Sequence, residues 1–428
     1  MARHLLFSTC SLWIKWRSTP EVFTTAENSS ENNLSLQSWM ASFPRSLIPP
    51  PARWQGQAAN VGVADYEPEN TNVFMRLYYP TERAPSRISR NLWVPNIHYA
   101  HGMAHFLIDF TNPKRTWWQK LIARAAYLIG HVSNTLFDTI PVSLDAPPIT
   151  DKRMPLVVFS HGLAGTKNMY SALCSALASQ GYLVAAVEHR DGSASYTRIV
   201  KNGVVKHKPY VHTDGNFAWR LEQVGKRAAE LEIVVQALTG STQPRNVGSK
   251  FDISQLSGAI NATNLTAIGH SFGGTTVLAS LARENKIKNV VLLDPWTAPF
   301  GPCLEKDSDH PLILAAKANV PTFIMNSHRW ASDLTPFYAN ATAAWVETEV
   351  HDSKHQDFSD LPLRMPALAT RIGMKGAVDS NLFFDLKLGL IDLFLEHVER
   401  LDEHETLGKN VRELAQQYED VRVDVKHK

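Results

Sequence analysis

Cysteine is scarce in this chain. Three occur in 428 residues, Cys10, Cys174 and Cys303, an odd and sparse set that excludes a disulfide-built scaffold. Charge of one sign is also lacking: 43 basic residues stand against 41 acidic ones, a formal net charge of +2, so no basic excess recruits nucleic acid and that class of partner drops out. No uninterrupted apolar run reaches 18 residues, so no segment reads as a membrane-spanning helix. No internal repeat is visible, which excludes solenoids and propellers. What is present is the composition of a globular enzyme, 44% hydrophobic and 20% charged, on a length that admits one large α/β domain with additions or two ordinary domains.

Residues 1–55 are rich in Ser, Asn and Pro and end in "LIPPPARW", where consecutive prolines preclude regular pairing. They read as a disordered N-terminal extension. The opening "MARHLLFSTCSLWIKWRSTP" is basic, but its apolar run is broken by Ser8, Thr9, Cys10 and Ser11, a poor match to a signal or transit peptide. Ala2 stands where N-myristoylation requires glycine. Sequons at Asn28, Asn33, Asn261, Asn264 and Asn340 keep a secretory route open.

Ordered structure is expected from about residue 56 to 405. "NVFMRLYYP" alternates Val73, Met75, Leu77 and Tyr79 on one face with polar Arg76 on the other, the period of a strand. From Pro155 onward, short β-branched runs ("PLVVFS", "YLVAAVEH", "LTAIGH", "NVVLLDP", "PTFIMNS", "AAWVETEV") alternate with helical stretches, which predicts an α/β fold with a mainly parallel central sheet and helices on both faces. Sites in such sheets form at the carboxyl ends of strands. Residues 406–428 are highly charged and read as a solvated tail.

The stretch "AIGHSFGGTTVLAS" places G-x-S-x-G, Gly269 to Gly273, between a strand and a helix. In that sharp turn the serine backbone is strained, and glycines are needed where a Cβ would strike neighbouring backbone. Ser271 is the candidate nucleophile, and the amide of Phe272 at the positive end of the following helix is a candidate oxyanion donor. A serine needs a base, and the base an orienting acid, in the chain order Ser, Asp or Glu, His. Asp294 ends the next strand. For the base, "VHDSKHQDFSD" offers His351 and His355, which spacing does not separate. These two histidines would also suit a metal at i, i+4 spacing, but three well-placed ligands are not evident, and no metal or cofactor is expected. "VVFSHGLAGTKNMYS" supplies a Gly-containing loop whose Leu163 amide is the second candidate donor.

Taken together, "FSHGLAGTKNMYSALCSALASQGYLVAAVEHRDGSAS", "GHSFGG", "LLDPW" and "HQDFSD", with "RLYYP" and "LWVP" near the start, resemble the platelet-activating-factor acetylhydrolases of the plasma and type II intracellular kind over roughly residues 60 to 400. The resemblance implies an α/β-hydrolase that removes short or oxidised sn-2 acyl chains from phospholipids without calcium or other cofactor. Its implied triad is Ser271, Asp294 and His355, the histidine chosen by the "HQDF" context, with Leu163 and Phe272 as oxyanion amides. The loop "GLAGTKN" departs from the family's usual "GLGAFRT", which bears on substrate preference.

A phospholipid substrate implies peripheral contact with a membrane or lipoprotein surface. "NPKRTWWQKLIARAAYLIG" offers a helical face of Trp117, Trp118, Leu121, Ile122, Ala125 and Leu128 ringed by Lys114, Arg115, Lys120 and Arg124, suited to the headgroup boundary and equally to core packing. The expected location is cytoplasmic with peripheral membrane association, secretory and mitochondrial routes remaining open. A general carboxylesterase or lipase of the same fold is the alternative enzyme, and a catalytically silent lipid-binding protein the alternative of another class.

Overall fold

The computed structural model describes residues 60–85, 91–111, 116–118, 120–121, 124–125, 139–201, 204–212, 216–241, 243–303, 310–330, 332–400 and 404–427. The expected N-terminal extension, 1–55, lies outside the described residues.

The strands are β1 (Asn60–Tyr66), β2 (Met75–Thr81), β3 (Asn91–Leu92), β4 (Thr139–Ile140), β5 (Ser143–Leu144), β6 (Met154–Ser160) and β7 (Leu183–Val187), then β8 (Tyr196–Lys201) and β9 (Val204–Pro209), which form a hairpin. They continue with β10 (Ile260–His270), β11 (Ile287–Leu293), β12 (Thr322–Ser327), β13 (Trp345–Val350) and β14 (Val423–His427). Among the described residues, ten of these form one sheet in the order β14-β13-β12-β11-β10-β6-β7-β2-β1-β5. From β7 to β13 every neighbouring pair is parallel; β2 joins antiparallel on one side and β14 on the other.

Strand side chains alternate between two cores, as the two-residue period requires. Val157, Phe159, Ile268, Val291, Leu293, Phe323 and Met325 enter one; Leu156, Val158, Ala267, Val290, Leu292 and Ile324 enter the other. The first core is covered by α2 (Ser171–Ser179), α5 (Ser380–Arg400) and α6 (His404–Gln416), and takes in Tyr99 and Met103 of α1 (Ile97–Thr111); the second is covered by α3 (Phe217–Thr239) and α4 (Phe272–Ser280). Both faces of the central strands are therefore dry, which explains their near-continuous apolar runs.

Two expectations change. Arg76 does not face solvent: it is buried and donates through Nε to Asp65, directly opposite in the register, at 2.7 Å. A second antiparallel partner closes what sequence alone reads as a half-exposed strand. The C-terminal segment, read as a solvated tail, is also part of the fold. α6 buries Leu407 and Val411 against the first core, and β14 extends the sheet by pairing with β13. Its charges lie on the outer face of a one-sided stripe, Leu407, Val411, Leu414, at helical spacing.

Candidate active site

β10 runs into the Gly269 to Gly273 turn and α4 leaves it. Ser271, between them, is held at φ 55°, ψ −119°, a conformation that L residues avoid and that persists only where the surroundings enforce it. Those surroundings are backbone. A Cβ on Gly269 would collide with the Gly273 carbonyl, and one on Gly273 with the Ser160 carbonyl at the end of β6. Phe272 is the first residue of α4, so its N–H has no helical acceptor and projects beside the serine.

β11 ends at Leu293, and Asp294 follows with φ 45°, turning its carboxylate across the sheet's carboxyl edge. The group is fully buried and accepts from Ser327 N–H at 2.5 Å, from Ser327 Oγ at 2.6 Å and from His355 Nδ1 at 3.0 Å. Three donors, two of them from the end of neighbouring β12, satisfy and orient an ionised carboxylate.

His355 begins the short 3-10 turn His355–Phe358 after β13. Asp357 fixes that turn by accepting from the amides of Lys354 at 2.7 Å and Gly376 at 2.9 Å. Trp330 stacks on the His355 imidazole, centroids 4.1 Å apart and planes 12° from parallel, while its own Nε1–H donates to the Pro295 carbonyl at 3.0 Å. The ring thus has one nitrogen on Asp294 and one face on Trp330, and His355 and Ser271 line the same cleft. His351 takes a different course. Its N–H continues toward Arg422 and its ring meets Asp424 at 2.7 Å, at the β14 edge.

Along the cleft wall runs a chain of hydrogen bonds that motif reading does not reveal. Gly162 N–H donates to Tyr170 Oη at 3.2 Å, Tyr170 O–H donates to His270 Nδ1 at 2.7 Å, and His270 Nε2–H donates to the His355 carbonyl at 3.0 Å. The donor order fixes the His270 tautomer, because the histidine carbonyl can only accept. Burial, then the nearby His355, hold the His270 pKa well below its ordinary value, so the ring stays neutral. The loop bearing Leu163 and the turn bearing His355 are in this way tied to one another around Ser271.

Arg227, fully buried at the middle of α3, ties the same loop from the other side. It donates to the His161 carbonyl at 2.9 Å and to Ser193 Oγ at 2.8 Å, and its guanidinium lies 4.6 Å over the Phe272 ring. Burial pushes its pKa down to about 10, and Asp191, 3.7 Å away, offsets part of that penalty. Leu163 is half-buried between these supports. The structure therefore brings Ser271, Asp294, His355, Leu163 and Phe272 to one sheet edge. The residues that motif reading passes over, Tyr170, His270, Arg227, Ser327 and Trp330, hold them there. His270 and Arg227 carried a signal: each is a polar residue inside a stretch that the fold must bury.

The apolar wall of the cleft comes from Met103 and Phe106 of α1, with Met169, Leu361 and Met374. Further along the chain, Trp117, Trp118 and Leu121 are helical and 63%, 57% and 49% exposed. The two indoles stack on each other at 3.6 Å. Ala125 is exposed as well, while Ile122 and Leu128 lie outside the described residues.

Comparison with known proteins agrees with this architecture. The family model described as platelet-activating factor acetylhydrolase, isoform II, matches residues 46–418. The platelet-activating factor acetylhydrolase of Canis lupus familiaris is 30% identical over 412 residues, 90% of this chain and 85% of the relative. That of Bos taurus is 31% identical over 350 residues, 76% and 72% of the two chains. A putative phospholipase A2 of Schizosaccharomyces pombe is 24% identical over 369 residues, 74% and 81%. Among solved structures, a ferulic acid esterase from Streptomyces cinnamoneus superposes with a TM-score of 0.50 over 82% of this chain and 92% of its own at 16% identity, a likeness of fold, the α/β-hydrolase fold. With a family model spanning most of its length and relatives at this identity and coverage, the chain belongs to the platelet-activating factor acetylhydrolase isoform II family.

Proposed function

We propose that the protein is a calcium-independent serine esterase that releases the sn-2 acetyl group, or a short or oxidised acyl group, from platelet-activating factor and related phospholipids. The observation that carries the reading is the strained Ser271 turn sharing a cleft with a His355 imidazole fixed on buried Asp294, in a chain whose relatives are platelet-activating factor acetylhydrolases.

Ser271 Oγ attacks the sn-2 carbonyl carbon while His355 Nε2 takes its proton. Asp294 keeps Nδ1 protonated and stabilises the imidazolium that forms. The new oxyanion lies against the N–H groups of Phe272 and Leu163, preorganised by α4 and by the Arg227-braced loop. On collapse the ester C–O bond breaks, and the proton on His355 passes to the departing sn-2 oxygen, giving the lyso-phospholipid. Water then loses a proton to His355 and attacks the acyl-enzyme; breakdown returns the proton to Ser271 and releases the free acid. Stacking on Trp330 keeps the base in place through both half-reactions.

Trp117, Trp118 and Leu121 act as the surface contact that brings the enzyme to a membrane or lipoprotein, their exposed rings entering the headgroup boundary. The experiment for the substrate is acyl release from sn-2 acetyl and sn-2 long-chain phosphatidylcholines in EDTA. Preference for the acetyl ester supports the reading; turnover of simple soluble esters alone moves the protein to a general carboxylesterase.

A further inference from the structure

His351 sits four residues before the proposed base yet serves a different place. Beside it are His328, the first residue past β12, and Glu349, next to last in β13. Donor atoms of these three side chains all lie within 4.8 Å of one another, the one such grouping of three among the described residues. His328 Nδ1 is 3.3 Å from Glu349 Oε1, and the two imidazoles have centroids 4.6 Å apart. Asp424 of β14 borders the group, its Oδ2 2.7 Å from His351 Nε2.

The placement is built by the sheet. Ser327 is registered with Val350, and Glu349 with Asp424 across the antiparallel edge, so the four residues hang from three adjacent strands. Glu349 and His351, two residues apart, face the same side. Oε1 of Glu349 also accepts from Arg329 N–H at 3.1 Å, the type of outer contact that fixes a ligating carboxylate. The side chains of His328, Glu349 and His351 are 29%, 36% and 18% exposed, while His328 Nδ1 itself is buried with no hydrogen-bond partner.

We propose that His328, Glu349 and His351, with Asp424 beside them, bind one zinc ion or a chemically similar divalent transition metal. Two imidazoles and a carboxylate suit zinc, nickel or copper, whereas calcium and magnesium take oxygen donors. Zinc bonds of about 2.0–2.2 Å place tetrahedral donors roughly 3.4 Å apart, the spacing already present between His328 and Glu349; rotation of the half-buried His351 ring closes the rest. The ion is structural and takes no step in hydrolysis. It fastens residues 327–330, the segment from which Ser327 holds Asp294 and Trp330 covers His355.

The test uses the full chain without affinity-tag histidines, stripped with EDTA and titrated with zinc chloride and, separately, calcium chloride in a calorimeter. One zinc site with Kd in the low micromolar range or tighter, no calcium binding, and a zinc-dependent rise in Tm are expected. His328→Ala/His351→Ala should weaken zinc at least 100-fold, and Glu349→Gln about tenfold. His101→Ala/His105→Ala, removing another surface histidine pair, should leave the affinity unchanged. Absence of zinc uptake at 100 µM free ion, or equal uptake by wild type and the His328/His351 variant, overturns the proposal. Should the double variant fold poorly, the Glu349→Gln titration and the visible spectrum of cobalt bound to the wild-type chain decide: octahedral, weakly absorbing cobalt contradicts a tetrahedral His/His/Glu site.

Discussion

The turn that carries His355 and the helical stretch that carries Trp117 and Trp118 are opposites in construction. Around His355 the groups that set its position have assigned partners: Nδ1 on Asp294, the carbonyl on His270, the ring face on Trp330, and the Phe358 carbonyl at the end of the same turn on Lys387 Nζ at 3.0 Å. Trp117 and Trp118 present more than half their surface to water and stack on each other. Under the proposed function the two regions carry different tasks. Proton transfer needs atoms held to a fraction of an ångström, which takes buried, mutually satisfied contacts; adsorption to a lipid surface needs only exposed apolar area on a helix, which a buried network would waste.

The sharpest way to break this comparison is to remove the fixed carboxylate. Asp294→Asn leaves the shape nearly unchanged but presents the wrong tautomer to Ser271, and kcat should fall by roughly 10⁴-fold. His355→Ala should do the same while His351→Ala loses less than tenfold. Steady-state kinetics on a soluble acetyl ester reads both, and comparable losses from the two histidines would mean that the base is misassigned.

Next in size is the internal chain of hydrogen bonds. Tyr170→Phe strips one hydroxyl, leaving the Gly162 amide and His270 Nδ1 unpaired in the interior, each worth about 1–3 kcal/mol. Since the loss falls on contacts that position the oxyanion loop and the base, whose interactions strengthen at the transition state, kcat should drop roughly tenfold or more with KM little changed. A change confined to KM would instead place Tyr170 in substrate binding.

On the exposed side the effect moves from chemistry to partitioning. Trp117→Ala/Trp118→Ala should lower binding to phosphatidylcholine liposomes at least tenfold, in keeping with the apolar area removed, while hydrolysis of a soluble ester stays within about twofold. Unchanged liposome binding in a sedimentation assay would remove these indoles from the contact surface.

The smallest expected effect concerns Lys387, the buried support under Phe358. Burial pushes its pKa down to about 8, whereas an unfolded lysine titrates near 10.4. Between those values the unfolded chain binds more protons than the folded one, so stability rises with pH from about 8 to 10. Lys387→Met should flatten that rise, measured as urea midpoints at pH 7.5 and 9.5; an identical rise in the variant would assign it to other groups.

Much of this was legible in the sequence. The G-x-S-x-G turn announced its own geometry, because glycines flanking a polar residue between an apolar strand and a helix have a steric explanation, and Asp294 followed from a strand that delivers a carboxylate at its end. The histidine was not separable by spacing. What sets His351 and His355 apart is the left-handed Asp352, at φ 58°, and the Asp357 contacts to Lys354 and Gly376, which swing the chain from the β14 edge back over Asp294. Such a reversal depends in part on Gly376, 19 positions from Asp357, and no local period encodes it. The C-terminal segment misled for a related reason: its charges dominate the composition, while the few apolar residues that dock α6 and β14 matter only once β13 offers a free edge. Arg76 reads as the outward face of a half-exposed strand because its partner, Asp65, comes from another strand.

The most direct test of the central claim compares wild type with Ser271→Ala for acyl release from an sn-2 acetyl phosphatidylcholine and from a long-chain phosphatidylcholine, both in EDTA. Wild type should prefer the acetyl substrate, and the variant should lose at least about 10⁴-fold of that rate while remaining folded. Acetyl release that survives the substitution would contradict Ser271 as the nucleophile and, with it, the reading of the strained turn on which the mechanism stands.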